Sequence, residues 1–143
     1  MRKNPALKTP TTFTKSVSVP KRNDATGEVM LDAQGKPVEG ELLGTFTFKR
    51  PTLLEEVSIS TRFAELTAGQ KLDNMSARAL DIATILAELP IVATTAPDNW
   101  TWNDLEGDED FYRIVAVWNV YQEGRREIAG VKGVSGNATA TKS

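Results

Sequence analysis

The apolar period of this chain changes at Pro51, and that change limits the architectures open to it. Upstream, Thr45-Phe46-Thr47-Phe48 alternates with period two, which places both aromatic rings on one face of a strand. Pro51 has no amide hydrogen for a sheet ladder, so the strand ends there. Thr52-Leu53-Leu54-Glu55 follows at once with capping-box spacing: the Thr52 hydroxyl can accept from the amide of Glu55 while the Glu55 carboxylate reaches back. Ile59, Phe63 and Leu66 then fall at i, i+4 and i+7, and Gly69 suits the residue after a helix end. These signals predict a first helix over 53–68, fed directly by a strand.

Two more helices follow. Met75, Ala79, Ile82, Leu86 and Leu89 keep 4-3-4-3 spacing, with Leu80, Ala83 and Ile85 widening the face, Asp73 or Asn74 available as a cap, and Pro90 as a stop or kink. A third begins after Asp108-Glu109-Asp110, three acids that suit the positive end of a helix dipole. Phe111, Ile114, Val115, Trp118 and Tyr121 form its face, and Gly124 suggests its end or a break. The expected core is the meeting point of Phe63, Ile82, Leu86, Ile114 and Trp118.

Ahead of the helices, Asp32-Ala33-Gln34-Gly35-Lys36-Pro37 concentrates turn residues between Glu28-Val29-Met30-Leu31 and Val38, so a small antiparallel hairpin is expected over 28–49. Residues 1–27 carry Arg2, Lys3, Lys8, Lys15, Lys21 and Arg22 against the single acid Asp24, with few large apolar groups. Such a segment cannot bury enough surface to fold alone and reads as a basic extended arm. Phe13, Val17 and Val19 share one parity, which permits a strand there if something pairs with it. Residues 131–143 are mostly Gly, Ser, Thr, Ala and Lys and read as a flexible tail. The fold class is therefore mainly α (α+β): one domain over 28–130, a three-helix core preceded by a small N-terminal β-hairpin, between a flexible arm and a flexible tail. A length of 143 residues leaves no room for a second full domain.

The chain contains no histidine and no cysteine. That removes the commonest general base, the commonest transition-metal ligand, and all thiolate and disulfide chemistry. Ser58, Ser60 and Thr61 are hydroxyls with no histidine to activate them. Between the second and third helices, residues 97–110 hold Trp100, Trp102 and the acids Asp98, Asp104, Glu106, Asp108, Glu109 and Asp110. Calcium favours such oxygen ligands, but this spacing does not reproduce the calcium-loop pattern with its glutamate at the twelfth position. Neither metal, cofactor nor catalysis is expected, so the chain is read as no enzyme. A net charge of −2 exerts no global pull on nucleic acid or anionic membrane, and no recognition motif accompanies the basic arm. No apolar run reaches signal-peptide or membrane-span length. What is left is a protein that works by binding other proteins. Trp100, Trp102 and Tyr121 are the candidate partner-binding residues, and burial in the core accounts for the same three equally well.

The order of short motifs carries a family resemblance. Phe46-x-Phe48-Lys49-Arg50-Pro51-Thr52 ends the strand, Arg62-x-x-x-Leu66-x-x-Gly69 lies in the first helix, and Pro97-Asp98-Asn99-Trp100 opens the acidic loop. Asp108-Glu109-Asp110 closes that loop, and Val117-Trp118-x-x-Tyr121 follows in the third helix. Over 43–128 the chain resembles the tail assembly chaperones of long-tailed bacteriophages. The resemblance implies a non-enzymatic protein of the host cytoplasm during assembly. Such a protein binds the long helical tape-measure protein and recruits tail tube subunits, in some members also as a longer frameshifted form. The rival expectation is a structural virion protein, a neck, tail or capsid-decorating subunit. Its basic arm and acidic loop would pair between copies in a homo-oligomer or with other virion subunits.

Overall fold

The computed structural model describes residues 12–142, with side chains over residues 12–129. The start of the basic arm, and the side chains of the tail, lie outside the described residues. A three-stranded antiparallel sheet in the order β1-β2-β3 is formed by β1 (Thr12–Pro20), β2 (Glu39–Lys49) and β3 (Ala93–Thr95). With it stand three helices, α1 (Leu53–Thr67), α2 (Ala77–Val92) and α3 (Gly107–Lys142). The α+β architecture with a β-hairpin ahead of three helices is the one the change of period requires.

The strand partner of β2 differs from the expected one. The turn over 32–37 forms, with the Gly35 amide donating to the Asp32 carbonyl at 2.9 Å and the Asp32 side chain accepting from the amides of Gln34 and Lys36. Glu28–Leu31 contributes only isolated bridges, Arg22 with Val29 and Leu31 with Pro37. β2 pairs instead with the arm, in a register that sets Phe13 opposite Phe48, Lys15 opposite Phe46 and Val17 opposite Gly44. Over Thr12–Pro20 the arm is therefore a strand. The conditional reading of Phe13, Val17 and Val19 is the one realised, because nine alternating residues bury more against the helices than four residues ending in exposed Met30 and Leu31.

One face of the sheet is dry and the other is hydroxylated. Val17, Phe46 and Phe48 are fully buried beneath α2 and α3, while Thr14 and Thr47 face outward and share a hydroxyl–hydroxyl bond of 3.0 Å. Phe46 and Phe48 stack 5.9 Å apart, and Phe13, Phe48 and Tyr121 continue the aromatic cluster with Phe48–Tyr121 at 5.3 Å. Each such side chain removed from water contributes roughly 2 kcal/mol. The core thus centres on the sheet, with Ile85, Leu89 and Val92 from α2 and Ile114, Val117 and Tyr121 from α3. Of the five residues expected at its centre only Ile114 is buried; Phe63, Ile82, Leu86 and Trp118 are half-buried at the margins. Helix–helix periodicity points inward correctly but carries no information about the sheet that takes the middle.

The helix ends follow local chemistry. α1 has the Thr52/Glu55 capping box, and Glu55 also pairs with Lys49. α2 is capped by Ser76, whose hydroxyl accepts from the Ala79 amide at 3.0 Å, rather than by Asp73 or Asn74, which sit in a short 3-10 turn. Pro90 lies inside α2 and the helix continues two residues beyond it. The missing amide hydrogen of Pro90 leaves the Leu86 carbonyl, four residues earlier, without its helical donor. Arg62 Nε supplies one from α1 at 3.3 Å.

α3 passes through Gly124 and runs to Lys142, so neither the expected end at Gly124 nor a break before the tail is seen along its backbone. Gly124 has a different task. A Cβ there would lie 2.1 Å from Cε2 of Phe13, so the absence of a side chain is what lets the β1 ring rest on the α3 backbone. No helix among the described residues is long and apolar enough to cross a membrane.

Candidate interaction surface

The tryptophan loop is built onto the open end of the core. Trp100 sits edge-on to Phe46 at 5.3 Å, and Trp102 edge-on to Trp100 at 5.3 Å, both half-buried. The Trp100 indole N–H is enclosed and has no acceptor among the described residues. Beside it a cleft of about 350 Å³ is walled by Glu41, Leu42, Leu43, Asp110 and Arg113. Arg113 closes this wall by donating to Glu41 at 2.9 Å and to Asp110 at 2.6 Å, and the two carboxylates hold its guanidinium more firmly protonated.

Two acids of this loop, Asp108 and Asp110, are engaged by the helix start and by cations of the same chain. Asp110 accepts from the Glu106 amide at 2.8 Å; that bond first, and Arg113 second, lower its pKa. Asp108 pairs with Arg78 at 2.9 Å. Among the described residues no three acids converge as a metal site. The basic side is engaged too. Lys15 reaches Glu127 of α3 at 2.9 Å, and Arg22 stacks on the Tyr112 ring at 4.0 Å.

Tyr121 corrects an expectation. It is fully buried, its hydroxyl donates to Glu88 at 2.5 Å, and Arg125 approaches the same carboxylate at 3.4 Å. Burial, then the Glu88 contact, push the phenol above its ordinary range. A residue so placed ties α2 to α3 and is not a surface that a partner can touch. Trp100 and Trp102 keep part of their rings accessible while covering the core, so both roles read from the sequence remain compatible with their position.

An apolar surface that the core does not use lies on α1 and in the short turn after it. Leu53 and Leu54 are 80% and 81% exposed and Val57 is 64% exposed, and Leu66 and Leu72 are also open to solvent. Only Thr67 of this helix is buried; Ile59 and Phe63 of the expected stripe are half-buried, and Leu66 is exposed. Sequence reasoning passed over the outer leucines because it looked for one stripe and found it. The available signal was the surplus: Leu53, Leu54 and Val57 fall outside that stripe, and a surface helix with one buried face should carry polar groups there. No family model, no curated protein and no solved structure matches this chain.

Proposed function

We propose that this chain is a non-enzymatic assembly chaperone of long-tailed bacteriophage tails, one that holds the helical tape-measure protein in solution and recruits tail tube subunits in the host cytoplasm. The observation that carries the reading is the exposed, leucine-bearing outer face of α1, which suits an apolar helical client. The residues that carry the family resemblance support it by what they do locally. Phe46 and Phe48 anchor β2 in the core, Thr52 caps α1, and Arg62 fastens α1 to α2 from its inner side. The helix is held firmly while its outer face stays open.

The virion-subunit alternative relied on arm and loop charges pairing between copies. Lys15, Asp108 and Asp110 have partners within one chain, which leaves fewer charges for such pairing. Co-expression with the neighbouring tape-measure and tube proteins tests the chaperone reading. Retention of the tape-measure protein in the soluble fraction, with this chain absent from purified mature particles, is the expected result. If neither protein is retained, or if the chain is present in particles in fixed copy number, the reading is wrong.

A further inference from the structure

We infer that α1, with the turn that follows it, is a strap that opens from α2 as one unit while the sheet, α2 and α3 stay folded. α1 is an outer layer of the molecule. The core cluster is built from the sheet, α2 and α3, and no apolar side chain of α1 belongs to it or packs against it. At about 100° per residue, α2 turns Ile85, Leu89 and Val92 toward that core and Ala83 and Ala87 to the nearly opposite side. Ala83 and Ala87 are buried, yet they stand outside the core cluster. What covers them is α1, which packs on α2 and whose Arg62 reaches the neighbouring Leu86 carbonyl at 3.3 Å.

The seat of α1 is weak in each of its parts. Alanine methyls offer little apolar area, so a helix lying on them gains little from burial. Only Thr67 of α1 is buried, and its hydroxyl donates to carbonyls of its own helix, Phe63 at 3.0 Å and Ala64 at 3.1 Å, rather than to α2. Among the described residues, two polar contacts tie α1 to the chain beyond its own cap: Lys49 with Glu55 at its start, and Arg62 with the Leu86 carbonyl at mid-helix. The far end carries strain as well. Ala68 holds φ at 52°, a left-handed conformation that its β-carbon disfavours, and opening relieves it.

An isolated helix of fifteen residues is marginal in water, so α1 once lifted loses its internal hydrogen bonds together. The rest of the fold gives up no core side chain when this happens. That is the condition for a sub-global opening, distinct both from fraying at helix ends and from global unfolding. The closed form, with Arg62 in place, is the ground state, and the open form is a minor population. Where the proposed chaperone role holds, opening adds Ile59 and Phe63 to the apolar surface offered to a client; the opening itself stands without that role.

Native-state hydrogen exchange of the full-length chain over a denaturant series tests this. The amides from Val57 to Thr67 should share one opening equilibrium, with protection roughly 100-fold or more below that of the core amides of β2 and α3. Their common denaturant slope should be well below that of global unfolding, because less surface is exposed. Protection that rises from the helix ends inward without a shared slope is fraying and overturns the inference. So do α1 amides that follow the global slope. The chain has no native cysteine, so an introduced thiol gives a second readout. Ala87→Cys lies beneath α1 and Ala116→Cys in the core, at positions 1% and 6% exposed. With each rate set against that variant's own urea stability, the thiol at position 87 should be labelled roughly 100-fold faster than the one at position 116. Equal corrected rates overturn the inference, and should either variant fail to fold, exchange in the unmodified chain decides. These measurements use the chain alone, so they succeed or fail separately from the retention of tail proteins.

Discussion

Replacing Gly124 by alanine sets two effects of opposite sign against each other. In a helix interior alanine is favoured over glycine by about 1 kcal/mol, and Gly124 lies in the middle of α3. Against that gain stands the Phe13 ring, three of whose carbons would lie 2.1, 2.5 and 2.9 Å from the new Cβ. The ring cannot simply swing aside, because Phe48 lies 5.5 Å and Tyr121 6.2 Å from its centroid. Overpacking of this kind costs about 1–3 kcal/mol, and a ring forced outward also gives up part of its burial. Gly124→Ala should therefore destabilise the protein by about 1–2 kcal/mol net. Urea denaturation would show this as a lower midpoint at unchanged slope. Hydrogen exchange should quicken in β1 before α2, since the β1 ring is what loses its seat. In a Phe13→Ala background the clash disappears, and Gly124→Ala should become neutral or stabilising. A single Gly124→Ala variant that gains about 1 kcal/mol, the bare helix-propensity value, would refute the argument.

Three further outcomes follow from the side-chain contacts. Tyr121→Phe removes the hydroxyl donated to Glu88 and should cost about 1–2 kcal/mol in chemical denaturation, since Arg125 still attends the carboxylate; an unchanged midpoint would mean that the bond gives no net stability. Arg62→Met keeps the aliphatic stem but leaves the Leu86 carbonyl without its donor, for a loss of about 1 kcal/mol. That loss should shrink in a Pro90→Ala background, where the helix supplies the donor itself. Glu55, held by Lys49 and the Thr52 amide, and Asp110, held by the Glu106 amide and Arg113, titrate below their ordinary values of 4.5 and 3.8. The unfolded chain therefore takes up these protons first as the pH falls. Their contribution is fully present above the ordinary carboxylate range and disappears as pH drops through the lowered folded values. Glu55→Gln and Asp110→Asn should flatten the acid limb of a stability–pH curve, and a limb as steep as the parent's would remove these two carboxylates from the account.

Most of what depends on neighbours in the chain was legible in advance. The Thr52–Glu55 box, the turn at Asp32–Pro37, the alternation that buries Phe46 and Phe48, and the acidic start of α3 all act over about four to six residues. Periodicity also marked α2 correctly as a helix, though its cap proved to be Ser76. The candidate surface was only partly readable. The two tryptophans lie where the loop was expected to cover the core, Tyr121 proved wholly interior, and the open leucines of α1 went unremarked.

The sequence by itself determined that catalysis by histidine or cysteine is impossible here, because those residues are absent, and that a strand must give way to a capped helix at Pro51. Only the tertiary structure decided that the arm becomes β1, that Gly124 is a seat for Phe13 rather than a helix end, and that α1 turns its leucines outward. Strand pairing and burial join residues far apart in the chain, and a one-dimensional pattern shows that a face is apolar without showing what covers it. For this protein the uncovered face of α1 is the one on which the proposed function rests.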